Sequence, residues 1–102
     1  MEKSEISAEI WTRTNCPACT NAKRFLDSKN IKWTEKKLNS QANQKQFAMK
    51  TRGAKTVPQI FIGSTLIGGF DSLLTYEKRG DLDRMLGRKS ERRGFFSWFL
   101  GR

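Results

Sequence analysis

Two cysteines, Cys16 and Cys19, are the only ones in the 102-residue chain, and they stand three apart as Cys16-Pro17-Ala18-Cys19. A disulfide between them closes almost no loop, so it gains little as a structural staple. The spacing suits thiol–disulfide exchange, in which one thiolate attacks and a second thiol within reach releases the mixed disulfide. An ordinary structural zinc site takes four ligands, which a chain with no histidine and no second cysteine pair cannot supply.

Exchange chemistry needs the first cysteine at a helix N-terminus, where unpaired N–H groups and partial positive charge favour the thiolate. The flanking residues predict that placement. Ala8–Arg13 (AEIWTR) alternates apolar and polar residues as a strand does. Asn15 and Cys16 are capping positions, and Pro17 suits the first turn because its φ is already set. Ala18, Ala22, Phe25 and Leu26 then fall on one helical face that reaches about Lys29. Arg13 adds a full positive charge close to Cys16, and Cys19 lies one turn along, able to fold back beneath it.

The remaining elements follow from pattern and punctuation. Residues 31–38 read as a second strand, and 41–52 as a helix ending at Gly53. Val57–Ile62 is an apolar strand closed by Gly63-Ser64, and Thr65–Ile67 returns at hairpin spacing. A helix starts near Asp71 with Phe70, Leu73, Leu74 and Glu77 in its early turns. Gly80 interrupts it, and Asp81 is positioned to cap a last short helix carrying Leu82, Met85 and Leu86. The order is βαβαββα, an α/β arrangement of a mixed sheet flanked by helices. Trp11 and Trp33 are expected to fill strand faces.

Three segments in this order resemble the glutaredoxin family of the thioredoxin superfamily. They are Ile10-Trp11-Thr12-Arg13 leading into Cys16-Pro17-Ala18-Cys19, then Thr56-Val57-Pro58-Gln59-Ile60-Phe61-Ile62, then Ile67-Gly68-Gly69-Phe70-Asp71-Ser72-Leu73. The resemblance covers roughly residues 7–87. It implies a thioredoxin fold with a four-stranded mixed sheet, and reduction of protein disulfides and glutathione mixed disulfides with glutathione as co-substrate. Cys16 would be the nucleophile and Cys19 the resolving thiol. Pro58 would be cis, and Val57 would offer its N–H and C=O to the cysteinyl part of glutathione. Arg13 and Lys55 match basic positions near the glycine carboxylate. Gly69 and Phe70 would meet the γ-glutamyl carboxylate at a helix start, with Asp71 facing the ammonium. Two departures stand out. Ala18 occupies a position usually held by an aromatic residue, and Lys45 falls near a glutamine that often contacts the glycine carboxylate.

Two other functions share the resemblance. One is a protein reduced by thioredoxin reductase, which would not require the Arg13, Lys55 and Asp71 set. The other is a dimeric [2Fe–2S] carrier bridged by Cys16 and glutathione, disfavoured by Pro17. No metal is expected in the oxidoreductase reading.

Charge bounds the partners. The net charge is +10, of which residues 1–86 carry +6 and residues 87–102 carry +4. No recognition motif accompanies it, so nucleic acid is not expected as the main partner. The domain is read as residues 1–87, and 88–102 as a tail joining basic residues to Phe95, Phe96, Trp98, Phe99 and Leu100. That composition suits packing or disorder without function, a groove on a partner or on the domain's own surface, or a membrane surface. The polar segment from Met1 to Glu9 lacks the apolar stretch of a secretory signal, and the expected location is the cytoplasm.

Overall fold

The computed structural model describes residues 6–88. In chain order the elements are β1 (Ala8–Thr12), α1 (Pro17–Ser28), β2 (Trp33–Lys37), α2 (Gln41–Thr51), β3 (Gln59–Ile62), β4 (Thr65–Gly68), α3 (Phe70–Arg79) and α4 (Asp81–Leu86). The strands form one sheet in the order β2-β1-β3-β4. β1 runs parallel to β2 and antiparallel to β3, and β3 is antiparallel to β4. This is the thioredoxin-type α/β architecture, with the central strand β1 ending just before the cysteines.

The alternation of side chains along β1 and β3 sorts the core into two layers. Ala8, Ile10, Ile60 and Ile62 face one side and meet Ala22, Phe25 and Leu26 of α1, Leu73 of α3, and Leu82 and Leu86 of α4. Trp11 and Phe61 face the other side, where Phe47 of α2 covers them. The Trp11 and Phe47 rings stand 5.8 Å apart between centroids at 53°. Lys50 of the same helix lays its ammonium over Phe61 at 4.9 Å, so a charged residue also seals this smaller layer.

Several element ends differ by a residue from the sequence reading, and three differences have a clear physical cause. β2 is shorter than 31–38, because Ile31 is buried before the strand begins while an edge strand pairs only along β1. β3 begins at Gln59 and not Val57, since the Val57–Pro58 bond is cis and proline has no N–H for a ladder. Asp81 does not cap α4. Gly80, at φ 83°, takes that place without a side-chain bond, and Asp81 instead pairs with Arg84 one turn along. Trp11 is fully buried and Trp33 partly so, both on strands.

Beneath the sheet's α1 face lies a charged cluster. Lys29 Nζ is 2.8 Å from Glu77 Oε2 and 3.1 Å from Asp83 Oδ1. Arg88 donates to the carbonyl oxygens of Lys29 and Asn30 at 2.6 and 2.9 Å. Arg88, which the sequence reading placed at the head of the tail, thus contacts the end of α1. The readings of residues 89–102 lie outside the described part of the chain.

Candidate active site

Cys16 sits where the sequence places it, between the end of β1 and the start of α1. It is the N-cap residue, with extended backbone angles, and Pro17 follows in the first turn. Its Sγ accepts a hydrogen bond from the backbone N–H of Cys19 at 3.1 Å, a role oxygen side chains usually fill at helix starts. The two cysteines are joined as a disulfide, with Cα atoms 5.2 Å apart. Cys16 is partly exposed and Cys19 is buried at 2% exposure, so one sulfur is open to a substrate and the other lies beneath. Asn15 turns the chain into the helix with φ 58°, a left-handed conformation that asparagine tolerates.

The second side of the site comes from the loop before β3. The cis Val57–Pro58 bond places the Val57 carbonyl oxygen 3.9 Å from Cys16 Sγ. The start of α3 lies against it: a Cβ on Gly69 would stand 3.6 Å from the Pro58 carbonyl oxygen. Gly68, at φ 115°, lets β4 turn into that helix, and a Cβ there would come within 2.9 Å of Ser72 Oγ. Phe70 is half-buried against the larger core, while Asp71 is exposed in the first turn of α3. Cys16, Val57, Pro58 and Gly69 are therefore brought together, and Asp71 follows two residues after Gly69.

The basic residues divide. Arg13 lines an open recess of about 480 Å³ beside the disulfide. Lys55 and Lys45 are exposed, and neither lines that recess. Ala18 is half-buried in the first turn of α1. Among the described residues, no group of three or more potential metal-ligating side chains is gathered, and no helix is long and apolar enough to cross a membrane.

The recess also holds residues to which the sequence analysis gave no role. Glu35, on β2, accepts from Thr12 Oγ1 at 2.7 Å and from Lys23 Nζ at 3.0 Å. Burial pushes the Glu35 carboxyl up, but those two hydrogen bonds and the nearby lysines outweigh it and hold the group below its usual range. The signal for this pair was present in the sequence: Lys23 follows Cys19 by four residues, one turn along the same helix face.

A family model described as Glutaredoxin matches residues 8–67. The chain is 43% identical over 79 residues to "Glutaredoxin 1" of Rickettsia felis, covering 76% of this chain and 78% of that one. It is 40% identical over 80 residues to "Glutaredoxin 3" of Escherichia coli, covering 78% and 96% respectively. Among solved structures, a buckwheat glutaredoxin–glutathione complex superposes with a TM-score of 0.69 at 27% identity, over 80% of this chain and 77% of that chain.

Proposed function

The chain belongs to the glutaredoxin family, a family of thiol–disulfide oxidoreductases, and from that premise we propose that it uses glutathione as reductant, with Cys16 as nucleophile and Cys19 as resolving thiol. One observation carries the assignment of roles. Cys16 is the exposed sulfur that already accepts the Cys19 N–H at the start of α1, so negative charge on it is the better stabilised.

In the reduced protein the Cys16 thiolate attacks one sulfur of a substrate disulfide. A bond forms between Cys16 Sγ and that sulfur, and the other substrate sulfur leaves with the electron pair and takes a proton. Cys19 then gives up its proton and attacks Cys16 Sγ, which expels the second substrate thiol and leaves the Cys16–Cys19 disulfide. Two electrons and two protons have passed to the substrate. Two glutathione molecules return them and become glutathione disulfide. A glutathionylated substrate passes its glutathionyl group to Cys16, and a second glutathione removes it without Cys19.

The glutathione site follows the groups gathered around Cys16. Val57 offers its N–H and C=O to the cysteinyl part, beside Pro58. Gly69 and Phe70 meet the γ-glutamyl carboxylate at the start of α3, and Asp71 meets the ammonium. Arg13 and Lys55 serve the glycine carboxylate. The buckwheat relative's complex with glutathione supports the ligand class. A dithiol cycle of this kind works in a reducing compartment such as the cytoplasm.

The test is turnover of a glutathione mixed disulfide in the presence of glutathione, glutathione reductase and NADPH. Wild type turns over, Cys16→Ser loses activity, and Cys19→Ser keeps most of it. A wild type silent here but active with thioredoxin reductase would have the other reductant. A brown protein silent in both assays would carry an iron–sulfur cluster instead.

A further inference from the structure

We propose that the recess beside the disulfide receives an acidic side chain of a polypeptide substrate, so that the protein prefers target cysteines flanked by Asp or Glu. The proposal rests on the oxidoreductase reading above and adds a substrate class to it.

The sheet order puts β2 on one side of β1 and β3 on the other. Of the proposed glutathione groups, Val57, Pro58 and the start of α3 lie on the β3 side, while Arg13 lines the recess. The recess lies on the β2 side, and its charged lining is Arg13, Lys23, Glu35 and Lys37, with Cys16 and Cys19 at its edge. Pairing of Thr12 with Lys37 across β1 and β2 fixes the end of β2 beside Arg13.

Three cations and one anion line this wall, and the anion is already answered. Glu35 holds Lys23 and the Thr12 hydroxyl on one oxygen. Arg13 and Lys37 are exposed and make no ion pair among the described residues. The flank toward β2 therefore carries net positive charge. A peptide disulfide has two halves. While one sulfur meets Cys16, the residues beside it extend over the β2 flank, where an Asp or Glu carboxylate finds Lys37, joined by Arg13 when no glutathione is bound. The redox step is the one already written: the dithiol becomes the disulfide, and the peptide disulfide becomes two thiols.

The experiment uses the full chain, pre-reduced, in single turnover without glutathione. Two cystine-bridged peptides are compared, one with Glu flanking each cysteine and one with Lys. Wild type reduces the Glu peptide faster by about tenfold at low ionic strength, and the ratio falls as salt is added. Lys37→Glu cuts that ratio at least about threefold. Lys78→Glu makes the same charge change at an exposed position eight residues into α3, about 12 Å along that helix, and leaves the ratio as it was. Three results would overturn the proposal. They are a wild-type ratio near one, a ratio that survives Lys37→Glu, and an equal fall in both variants, which would assign the preference to net charge. A pre-reduced protein that reduces neither peptide sinks the dithiol chemistry itself. Failure of glutathione turnover alone, with the peptide ratio intact, strikes only the reductant.

Discussion

The two ends of α1 handle charge in opposite ways. At the N-terminal end, a sulfur replaces the usual oxygen cap and stays partly open to solvent, with Arg13 and Lys37 nearby and in no ion pair among the described residues. At the C-terminal end, about 18 Å away for a helix of 12 residues, Lys29 is only 8% exposed and ties Glu77 of α3 to Asp83 of α4. Arg88 completes that end by donating to the free carbonyl groups of Lys29 and Asn30. One end keeps its polar groups available for an arriving substrate. The other spends them on holding three helices in place, and that fixed end gives the open one a rigid base.

The largest effect is expected from breaking the closed end. Lys29→Met leaves two buried carboxylates facing each other, and urea unfolding should show a loss of about 3–5 kcal/mol. If the contrast between the ends is sound, the purified folded variant still reduces glutathione mixed disulfides at close to the wild-type rate. Next comes Arg88→Ala, which removes two charge-assisted bonds to the α1 carbonyls. A loss of about 2 kcal/mol is expected in the same measurement, and no change would mean that Arg88 merely decorates the helix end.

Two carboxylates then sharpen the comparison through pH. Burial pushes the Glu77 carboxyl up, against the pull of Lys29 and with Asp83 adding to the rise, and its Oε1 has no hydrogen-bond partner among the described residues. A raised carboxyl binds its proton more tightly when folded. Its contribution to stability is present below the unfolded value and withdrawn as pH rises through the folded one. Glu77→Gln cannot titrate, so it should gain on wild type in urea unfolding between pH 4 and 7. A deficit that widens over that interval would show that the ionised form is the favoured one. Glu35, at the open end, behaves in the reverse sense. Its lowered carboxyl contributes stability above the unfolded value, and the contribution is lost as pH falls through the folded one. Glu35→Gln should cost about 0.5–1 kcal/mol at pH 7, with the gap to wild type closing toward pH 3.

The same contrast explains what could be read from the sequence. The open end is local. Strand pattern, Asn15, Cys16, Pro17 and the thiol spacing lie within a dozen residues, so their geometry follows from turn and helix chemistry. The cis Val57–Pro58 bond was legible only through the family resemblance, because nothing in the residues themselves selects cis. The closed end joins Lys29 to residues 48 and 54 positions away. Each of its members, taken alone, has the composition of a surface charge, since such residues are rarely buried. Glu77 was legible as a helix residue and not as a buried ion partner. Asp81 was misread because a generic capping preference gave way to Gly80, whose left-handed backbone closes α3 and opens α4 at once.

The cap at Cys16 has one more consequence, in terms of a thermodynamic cycle. Reduction can be carried out on the folded chain or on the unfolded one, and unfolding on either redox form, so the four free energies must close. Whatever the Cys19 N–H and the end of α1 contribute to a folded Cys16 thiolate is added to the folding stability of the reduced form. By closure the same amount makes the folded disulfide a stronger oxidant than that disulfide in the unfolded chain. Urea curves of the two redox forms therefore measure, without an electrode, how far folding has moved the potential of this pair.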